Sequence, residues 1–408
     1  MLYDVTSSYY EGHTCALMQR GYNRDGKRGK PIVVYGVLAD VEGRPIALEV
    51  YPGNSGDPST VPAQVEKLRH RFGLEQVVLV GDRGMLTQTQ IAHLERHPGL
   101  GWISALRSEA VRELVEGGAL QLSLFDAQNL AELISPAFPG ERLVACFNPL
   151  LAELRGRKRE ELLQATDKAL EKIAREVARR TKTPLKAAEI GKKVGRVINR
   201  FKMGKHFETV IEDGAFRYAR REQTIERETQ LDGIVVIRTS EPAERLSAED
   251  TVRSYKNLSR VERVFRCLKG IDVLVRPIRH REERRVKAHI FLCVLAYYVE
   301  WHMRKALAPL LFDDEALDEQ RWRRDPVLPA KPSASALKKK TRRKTTDGHV
   351  VHSFDTLLAE LATRCRHQCR LKSDPNGPSF QQLTEATVLQ QRALQLLKMF
   401  PVTGTPTS

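Results

Sequence analysis

The segment Val77-Val78-Leu79-Val80-Gly81-Asp82-Arg83-Gly84 decides the expected fold of this chain. Its four consecutive apolar residues are typical of a strand that is buried on both faces. The glycines on either side of Asp82-Arg83 let other groups approach the end of that strand closely. We therefore expect Asp82 to lie at the carboxyl end of a buried strand.

Strand signals precede this segment, and helices alternate with strands around it. Leu2–Ser7 is a short β-type run, and Ile32–Ala39 and Pro45–Tyr51 are strong strand signals that a short turn joins into an expected hairpin. Further on, Thr87–Arg96 is typical of a helix and Trp102–Leu106 of a strand. This order of elements is that of an RNase H-like α/β domain, in which helices flank a mixed sheet.

The sequence changes character after this first part. Glu161–Arg180 carries its apolar residues on one helical face, and Ala187–Phe201 is typical of a basic helix. His206–Glu228 alternates as short strands do, and Gly233–Thr239 is a clear strand signal. The segment predicts a mixed helical and β insertion into the α/β core.

The remaining sequence is mainly helical. Apolar residues spaced three to four apart predict a helical stretch over Ser247–Gly270, and Val286–Leu307 predicts a core helix. Asp325–Ala336 is typical of a linker, and Phe354–Arg364 and Phe380–Lys398 predict a helical C-terminal tail. The expected domains are residues 1–108 and 233–308 for the two parts of the core, 109–232 for the insertion, 309–346 for a helix and basic linker, and 347–408 for the C-terminal region.

The charge of the chain favours a polyanionic partner. Its 408 residues include 67 Lys and Arg against 51 Asp and Glu, a formal net charge of +16. The excess lies in Leu151–Lys205 (net +10), Tyr255–Ile290 (net +7) and Lys338–Lys344 (net +6). Such segregation suggests surfaces that face an anion, although any one cluster could be a solvated helix face. Nucleic acid is the first candidate partner and an acidic membrane the second.

Neither a membrane span nor a disulfide framework is visible. The longest apolar run, Ile290–Val299, is half a membrane span, and the first residues are not a signal peptide. We therefore expect no membrane partner and a cytoplasmic location. Six scattered cysteines indicate reduced thiols. Only Cys365 and Cys369 lie close together, in a segment that is typical of a helix, and no second pair completes a zinc site.

Three acids fall where an RNase H-like fold would gather them: Asp4 in the first strand, Asp82 after a buried strand, and Glu262 within a helix. Phosphodiester chemistry uses two divalent ions roughly 3.5–4 Å apart, one for the attacking hydroxyl and one for the leaving oxygen. Carboxylate oxygens are the ligands that hard Mg²⁺ prefers. The three acids therefore predict a site for two Mg²⁺ ions, for which Mn²⁺ could substitute.

Each acid also has a simpler structural explanation. Asp82 alone fits a turn, and Glu262 alone fits a solvated helix carboxylate paired with Arg266 one turn later. Asp4 is harder to explain in this way, because Asp is disfavoured in strands. The three acids together are therefore more informative than any one of them.

Two further acids compete for the site. Asp40 fits the turn of the predicted hairpin. Asp57 or Ser59 is expected to cap a helix that runs to about Arg71. Neither Asp40 nor Asp57 is therefore assigned to a metal.

Three blocks follow one another along the chain: Leu2-Tyr3-Asp4-Val5-Thr6-Ser7-Ser8-Tyr9-Tyr10, Val80-Gly81-Asp82-Arg83-Gly84-Met85, and Tyr255-Lys256-Asn257-Leu258-Ser259-Arg260-Val261-Glu262-Arg263-Val264-Phe265-Arg266-Cys267-Leu268-Lys269. In these blocks the chain resembles the DDE transposases of bacterial insertion sequences, in the branch with a Tyr-x2-Arg-x3-Glu-x6-Lys signature. The resemblance covers roughly the first three quarters of the chain.

The resemblance implies that Asp4, Asp82 and Glu262 are catalytic acids that bind two Mg²⁺ ions. The implied activity is cleavage of double-stranded DNA at transposon ends, followed by transfer of the freed 3′ end into target DNA. A homodimer on paired ends, acting at the bacterial nucleoid, follows by analogy. Two alternatives stay open: an inactive relic that only binds DNA, and a host nuclease or resolvase on the same fold.

The resemblance also implies DNA-binding residues around the third acid. Tyr255 and Lys269 match signature positions that contact transposon-end DNA, whereas Leu258 stands where the signature has Arg. Three nearby cations could supply that phosphate contact: Arg260, Arg263 and Arg266. Family members place a DNA-binding region ahead of the first catalytic strand, and Asp4 is the fourth residue here, so we expect a truncated or frameshifted member.

Overall fold

The computed structural model describes residues 1–271, 273–317, 320, 323–373 and 376–399. In chain order the strands are β1 Leu2–Tyr9, β2 Ile32–Ala39, β3 Pro45–Pro52, β4 Val77–Val80, β5 Leu100–Ala105, β6 Leu130–Leu133, β7 Arg142–Phe147, β8 Phe207–Glu212, β9 Ala215–Arg220, β10 Ile234–Thr239, β11 Arg366–Cys369 and β12 Phe380–Leu383. The α-helices are α1 Val61–Glu66, α2 Gln88–Leu94, α3 Ser108–Glu116, α4 Pro149–Arg179, α5 Ala187–Phe201, α6 Glu222–Thr229, α7 Ala248–Lys256, α8 Leu258–Arg266, α9 Glu283–Leu307, α10 Ala334–Arg342, α11 Phe354–Ala362 and α12 Val388–Met399. Within these described ranges, none of the helices has the length and apolar character needed to cross a membrane.

The chain folds into two compact units. Unit 1 consists of Met1–Phe72, Asn257–Asp325 and the described part of Pro329–Ser408. Unit 2 consists of Gly73–Lys256 and Pro326–Leu328. Both units combine β-strands with helices.

The first three strands, all in unit 1, are antiparallel and lie in the order β3-β2-β1. The register of β1 against β2 pairs Leu2 with Ala39 and Tyr9 with Ile32. The predicted hairpin of β2 and β3 is confirmed. Every residue of β2 is buried, as its unbroken apolar run predicts for a strand covered on both faces.

Five strands of unit 2 lie in the order β4-β5-β10-β7-β6, and β8 and β9 pair separately. β4 and β5 are parallel, and the other neighbours are antiparallel. Helix α3 contributes Val111 and Leu114 to the same buried cluster as Leu143 and Val236 of the strands. A mixed sheet flanked by helices confirms the predicted RNase H-like α/β class.

Within the predicted insertion, residues 109–232, a helical pair and a hairpin follow β6 and β7, which themselves belong to the sheet beside β10. Helices α4 and α5 pack with β8 and β9 around their own apolar core, which includes Leu163, Leu170, Ile190, Phe207 and Phe216. The apolar stripe of α4 faces this core, and most basic residues of the segment are exposed, whereas Arg159 is buried in an ion pair with Asp232. The segment is mixed helical and β, as expected.

The helical stretch expected over residues 247–270 is helical from Ala248 to Ile271 except at Asn257. Helix α7 ends at Lys256 and α8 begins at Leu258, with the buried Asn257 between them. Helix α7 buries Val252, whereas α8 buries Leu258 and Phe265. Asn257 itself keeps helical backbone angles, with φ −65° and ψ −15°, so the interruption is a single residue.

The predicted cap of the helix near residue 60 is wrong. Asp57 begins a short 3₁₀ turn that has no side-chain cap, and its carboxylate instead pairs with Arg24 Nη2 at 2.6 Å. Both oxygens of Asp57 accept from this guanidinium, and such charge-assisted hydrogen bonds are stronger than a cap to neutral N–H groups. Ser59 turns its hydroxyl back to the carbonyl of Gly56.

Two expectations for the tail are corrected as well. The expected linker over residues 325–336 already contains the start of α10 at Ala334, whose helix is capped by the Ser333 side chain. The helix expected over residues 380–398 begins only at Val388, because Phe380–Leu383 pairs with Arg366–Cys369 as a small hairpin. The segment with Cys365 and Cys369 is therefore extended rather than helical.

Candidate active site

Asp4 lies in β1, as predicted. It is half-buried between Tyr3 and Val5, which are 0% and 3% exposed. Its Oδ1 accepts the N–H of Val5 at 2.8 Å. The flanking apolar residues thus hold the carboxylate at a fixed place on the strand.

Two contacts define where α8 lies on the sheet of unit 1. Near its start, Arg260 Nη1 donates to a carbonyl of the β2–β3 turn at 3.0 Å. Further along, the Phe265 ring meets the Tyr35 ring edge-on, with centroids 6.1 Å apart. Tyr35 lies opposite Thr6, and facing residues of antiparallel strands share one face of the sheet. Helix α8 therefore covers the face of β1 that carries Thr6 and, two residues earlier, Asp4.

A third contact shows the direction in which this segment runs. Lys269, just beyond α8, places Nζ 3.1 Å from Asp25 Oδ1, and the other oxygen of Asp25 accepts the N–H of Tyr9 at 2.9 Å. The segment thus starts near the beginning of β1 and finishes near its end. Glu262 lies between these contacts, on the helix that covers the face of β1 with Asp4.

Asp82 follows β4 directly, at the carboxyl end that the sequence predicts. Its Oδ1 accepts the N–H groups of Gly84 and Met85, both at 2.8 Å, and Ser104 Oγ donates to its backbone carbonyl at 3.1 Å. A Cβ on Gly84 would stand 3.3 Å from the same Oδ1, so glycine leaves room for this turn. One carboxylate oxygen is therefore oriented by the backbone, and the second accepts nothing from the described residues.

Glu262 lies within α8 and is exposed. Its alternative role as the ion-pair partner of Arg266 is not found, since neither side chain has a hydrogen bond or ion pair within the described part of the chain. Helix α8 is anchored by the buried Val261 and Phe265, which turn Glu262 and Arg266 away from the core. The carboxylate is therefore free to accept a ligand.

The donor set of the three acids is purely carboxylate, which fits hard divalent ions such as Mg²⁺. Asp4 and Glu262 belong to unit 1, and Asp82 belongs to unit 2. Over the ranges that the structure describes, no group of three or more His, Cys, Asp or Glu side chains is positioned to hold a metal ion. The assignment of these acids to a metal thus stays a prediction.

The predicted DNA-binding residues differ in their surroundings. Arg263 and Arg266 are exposed, with no hydrogen bond or ion pair among the described residues. Arg260 is half-buried and bonded to the β2–β3 turn. Tyr255 is half-buried on α7, in unit 2. Lys269 is mostly buried against Asp25, and this burial lowers the pKa of its ammonium while Asp25 partly opposes the shift.

Of the remaining acids, Asp40 was placed correctly and Asp25 was missed. Asp40 Oδ1 accepts the N–H groups of Glu42 and Arg44, both at 2.9 Å, which confirms its role in the hairpin turn. Asp25 lies in a polar, turn-rich segment, yet its side chain is 1% exposed. Nothing in the local sequence signals that burial, because the partners of Asp25 come from distant parts of the chain.

Comparison with known families now places the chain. Residues 2–299 match the family model described as a transposase DDE domain, and this range includes all three predicted acids. The chain belongs to this family. Among solved structures, a piggyBac transposase in a synaptic complex with hairpin DNA is similar at a TM-score of 0.35 and 11% identity, over 72% of this chain and 45% of that chain. The comparison with curated proteins finds no match.

Proposed function

We propose that this chain is a DNA transposase, with Asp4, Asp82 and Glu262 as its metal-binding catalytic acids. It cleaves DNA at transposon ends and transfers the freed 3′ end into target DNA. The observation that carries the proposal is the match of residues 2–299 to the transposase DDE domain, combined with acids in the first strand, after a buried strand and on a late helix.

The surroundings of the acids support this role. Two backbone N–H groups hold one oxygen of Asp82, so the side chain is already ordered. Binding of a ligand by its second oxygen therefore requires little further loss of conformational entropy. Glu262 has no ion pair to give up within the described structure. When bound, two Mg²⁺ or Mn²⁺ ions would activate the attacking hydroxyl and stabilise the leaving oxygen.

Exposed cations supply the contacts to DNA in this proposal. Arg263 and Arg266 flank Glu262 on α8, and Lys192 and Arg196 are exposed on α5. Each phosphate contact releases counterions, so DNA affinity is expected to fall steeply as salt rises. The paired ends of an element would require a homodimer, which light scattering on the DNA complex tests.

Metal-dependent nicking of supercoiled plasmid DNA tests the catalytic proposal. The wild-type chain is expected to nick with Mg²⁺ and to stop with a chelator. Removing a metal ligand costs several kcal/mol of transition-state stabilisation, so Asp82→Ala is expected to lose on the order of a thousandfold. Asp126→Ala is the matched control, because Asp126 is an exposed acid of the same unit and should retain full activity.

Equal nicking by wild type and Asp82→Ala would refute the catalytic role of Asp82. Salt-sensitive DNA binding without any metal-dependent nicking would instead assign the chain as an inactive relic. The exposed cations fit that second function as well, so nicking is the measurement that separates the two.

A further inference from the structure

The carboxylate of Asp25 is held by two cations inside unit 1. Its side chain is 1% exposed, and its Oδ1 accepts from Lys269 Nζ at 3.1 Å and from Arg276 Nη1. Its Oδ2 accepts the N–H of Tyr9 at 2.9 Å. A buried carboxylate with this many charged donors is fully compensated, so the cluster is a fixed point of the structure.

Lys269 is therefore already engaged. Its side chain is only 12% exposed, and its ammonium faces Asp25 rather than solvent. To reach a DNA phosphate it would have to leave a buried carboxylate, which costs several kcal/mol per uncompensated ion. Direct contact with DNA is thus unfavourable for this side chain.

Asp25 is part of an internally bonded loop over residues 20–30. The side-chain amide of Asn23 donates to the carbonyl of Lys27 at 2.7 Å, and Asn23 Oδ1 accepts the N–H of Asp25 at 2.8 Å. Arg24 pairs with Asp57 through both carboxylate oxygens at 2.6 Å. The Asn23 bonds brace the loop internally, and the Arg24–Asp57 pair attaches it to the short turn after β3.

The outer side of the same loop is basic. Arg20, Lys27, Arg28 and Lys30 are all exposed, and Tyr22 is 80% exposed. Arg20, Arg28 and Lys30 have no hydrogen bond or ion pair within the ranges that the structure describes. An ordered row of cations binds phosphates with less loss of conformational entropy than a disordered one.

We propose that the loop over residues 20–30 contacts the DNA backbone, and that Lys269 is a positioning residue that holds this loop through Asp25. The inference rests on the proposed function, since the polyanion is DNA. It assigns to Lys269 a role different from the direct contact that its position in the sequence suggests.

Binding of a 30-base-pair duplex over a range of salt tests the loop. Each phosphate contact contributes about 0.9 to the slope of log affinity against log salt, so Arg28→Gln/Lys30→Gln is expected to reduce the slope by about 2. The matched control is Arg96→Gln/Arg112→Gln, which removes two exposed cations of unit 2 and should leave the slope unchanged. A slope equal to that of the control would overturn the inference.

A double-mutant cycle tests the positioning role. Lys269→Met is expected to weaken binding and to speed tryptic cleavage within the loop, well below the melting temperature. When Lys269→Met is added to Arg28→Gln/Lys30→Gln, DNA affinity should change by no more than about twofold, because Lys269 acts through the loop that those changes have already disabled. Asn23→Ala loosens the loop without leaving a buried charge, so it should reproduce this pattern even if Lys269→Met folds poorly.

Equal weakening by Lys269→Met in both backgrounds would show a direct contact and overturn the positioning role. Metal-dependent nicking is measured on the same preparations. If wild type nicks DNA and Asp82→Ala does not, but the loop variants bind DNA as the control does, this inference alone is refuted. If wild type and Asp82→Ala do not differ in nicking, the proposed function is refuted instead.

Discussion

Replacement of Arg238 by Met removes the positive member of a buried ion pair in unit 2. Arg238 Nε donates to Glu141 Oε2 at 2.6 Å, and a second guanidinium nitrogen donates to Oε1. The two side chains are 9% and 3% exposed. The guanidinium also lies 5.2 Å from the ring centroids of both Trp102 and Phe138. Loss of this group leaves Glu141 as a buried carboxylate without its partner.

The expected cost follows from that burial. Breaking a buried ion pair by removing one member typically lowers the free energy of unfolding by about 3–5 kcal/mol. For a unit of this size, each kcal/mol corresponds to roughly 2–4 °C, so the melting temperature is expected to fall by about 6–20 °C. Replacing both members, as Arg238→Met/Glu141→Leu, removes the unpaired charge and should recover most of the loss.

Urea and thermal denaturation followed by tryptophan fluorescence measure this effect, since Trp102 lies against the guanidinium. Glu132→Gln is the control, because Glu132 is 43% exposed in its pair with Arg142 and should lose only about 0.2–1 kcal/mol. A loss in Arg238→Met as small as that in Glu132→Gln would refute the reasoning. So would a double variant, Arg238→Met/Glu141→Leu, that loses the full sum of its two single changes.

Three further outcomes are expected. Gly43→Ala should destabilise the fold more than Gly26→Ala in urea titrations. Both glycines have positive φ, so alanine adds a backbone strain of about 1–2 kcal/mol at either position. Only at Gly43 would the new Cβ also clash, 2.7 Å from a side-chain carbon of α8, whereas at Gly26 it meets nothing within 4 Å. A thiol reagent should modify the exposed Cys365 quickly in the folded protein and spare the buried Cys146, whose pKa burial raises to about 11; equal rates would contradict this. Burial lowers the pKa of His206 below its usual 6.5, so this imidazole binds a proton more readily in the unfolded chain than in the folded one. The free energy of unfolding should therefore fall as pH drops below about 6.5. In His206→Gln that part of the pH dependence should disappear.

The sequence predicted the elements of the core well where one local pattern was enough. The apolar runs over Ile32–Ala39 and Val77–Val80 are strands at those residues, because a strand buried on both faces needs no polar positions. The helical stretch expected over residues 247–270 is found as well, although three-to-four spacing does not reveal the interruption at Asn257. The short hairpin of Arg366–Cys369 with Phe380–Leu383 was not predicted, because its strands are exposed and lack an apolar period.

The candidate site shows the same division. The sequence placed Asp4 on a strand, Asp82 after a strand and Glu262 on a helix, and each is found there. It did not reveal that Lys269 is engaged with Asp25, because these residues are 244 positions apart and neither is unusual in its own segment. The common role of the three acids stays a prediction.

Local patterns in the sequence determined the type of most core elements and the positions of the three acids, because backbone hydrogen bonding and apolar period act over a few residues. Only the tertiary structure decided which charges are engaged and which remain available. Arg238 is buried and Lys269 mostly buried against carboxylates, whereas Arg263 and Arg266 face solvent. The physical reason is that a charge is compensated by whatever lies within a few ångströms of it, and folding brings those neighbours from distant parts of the chain.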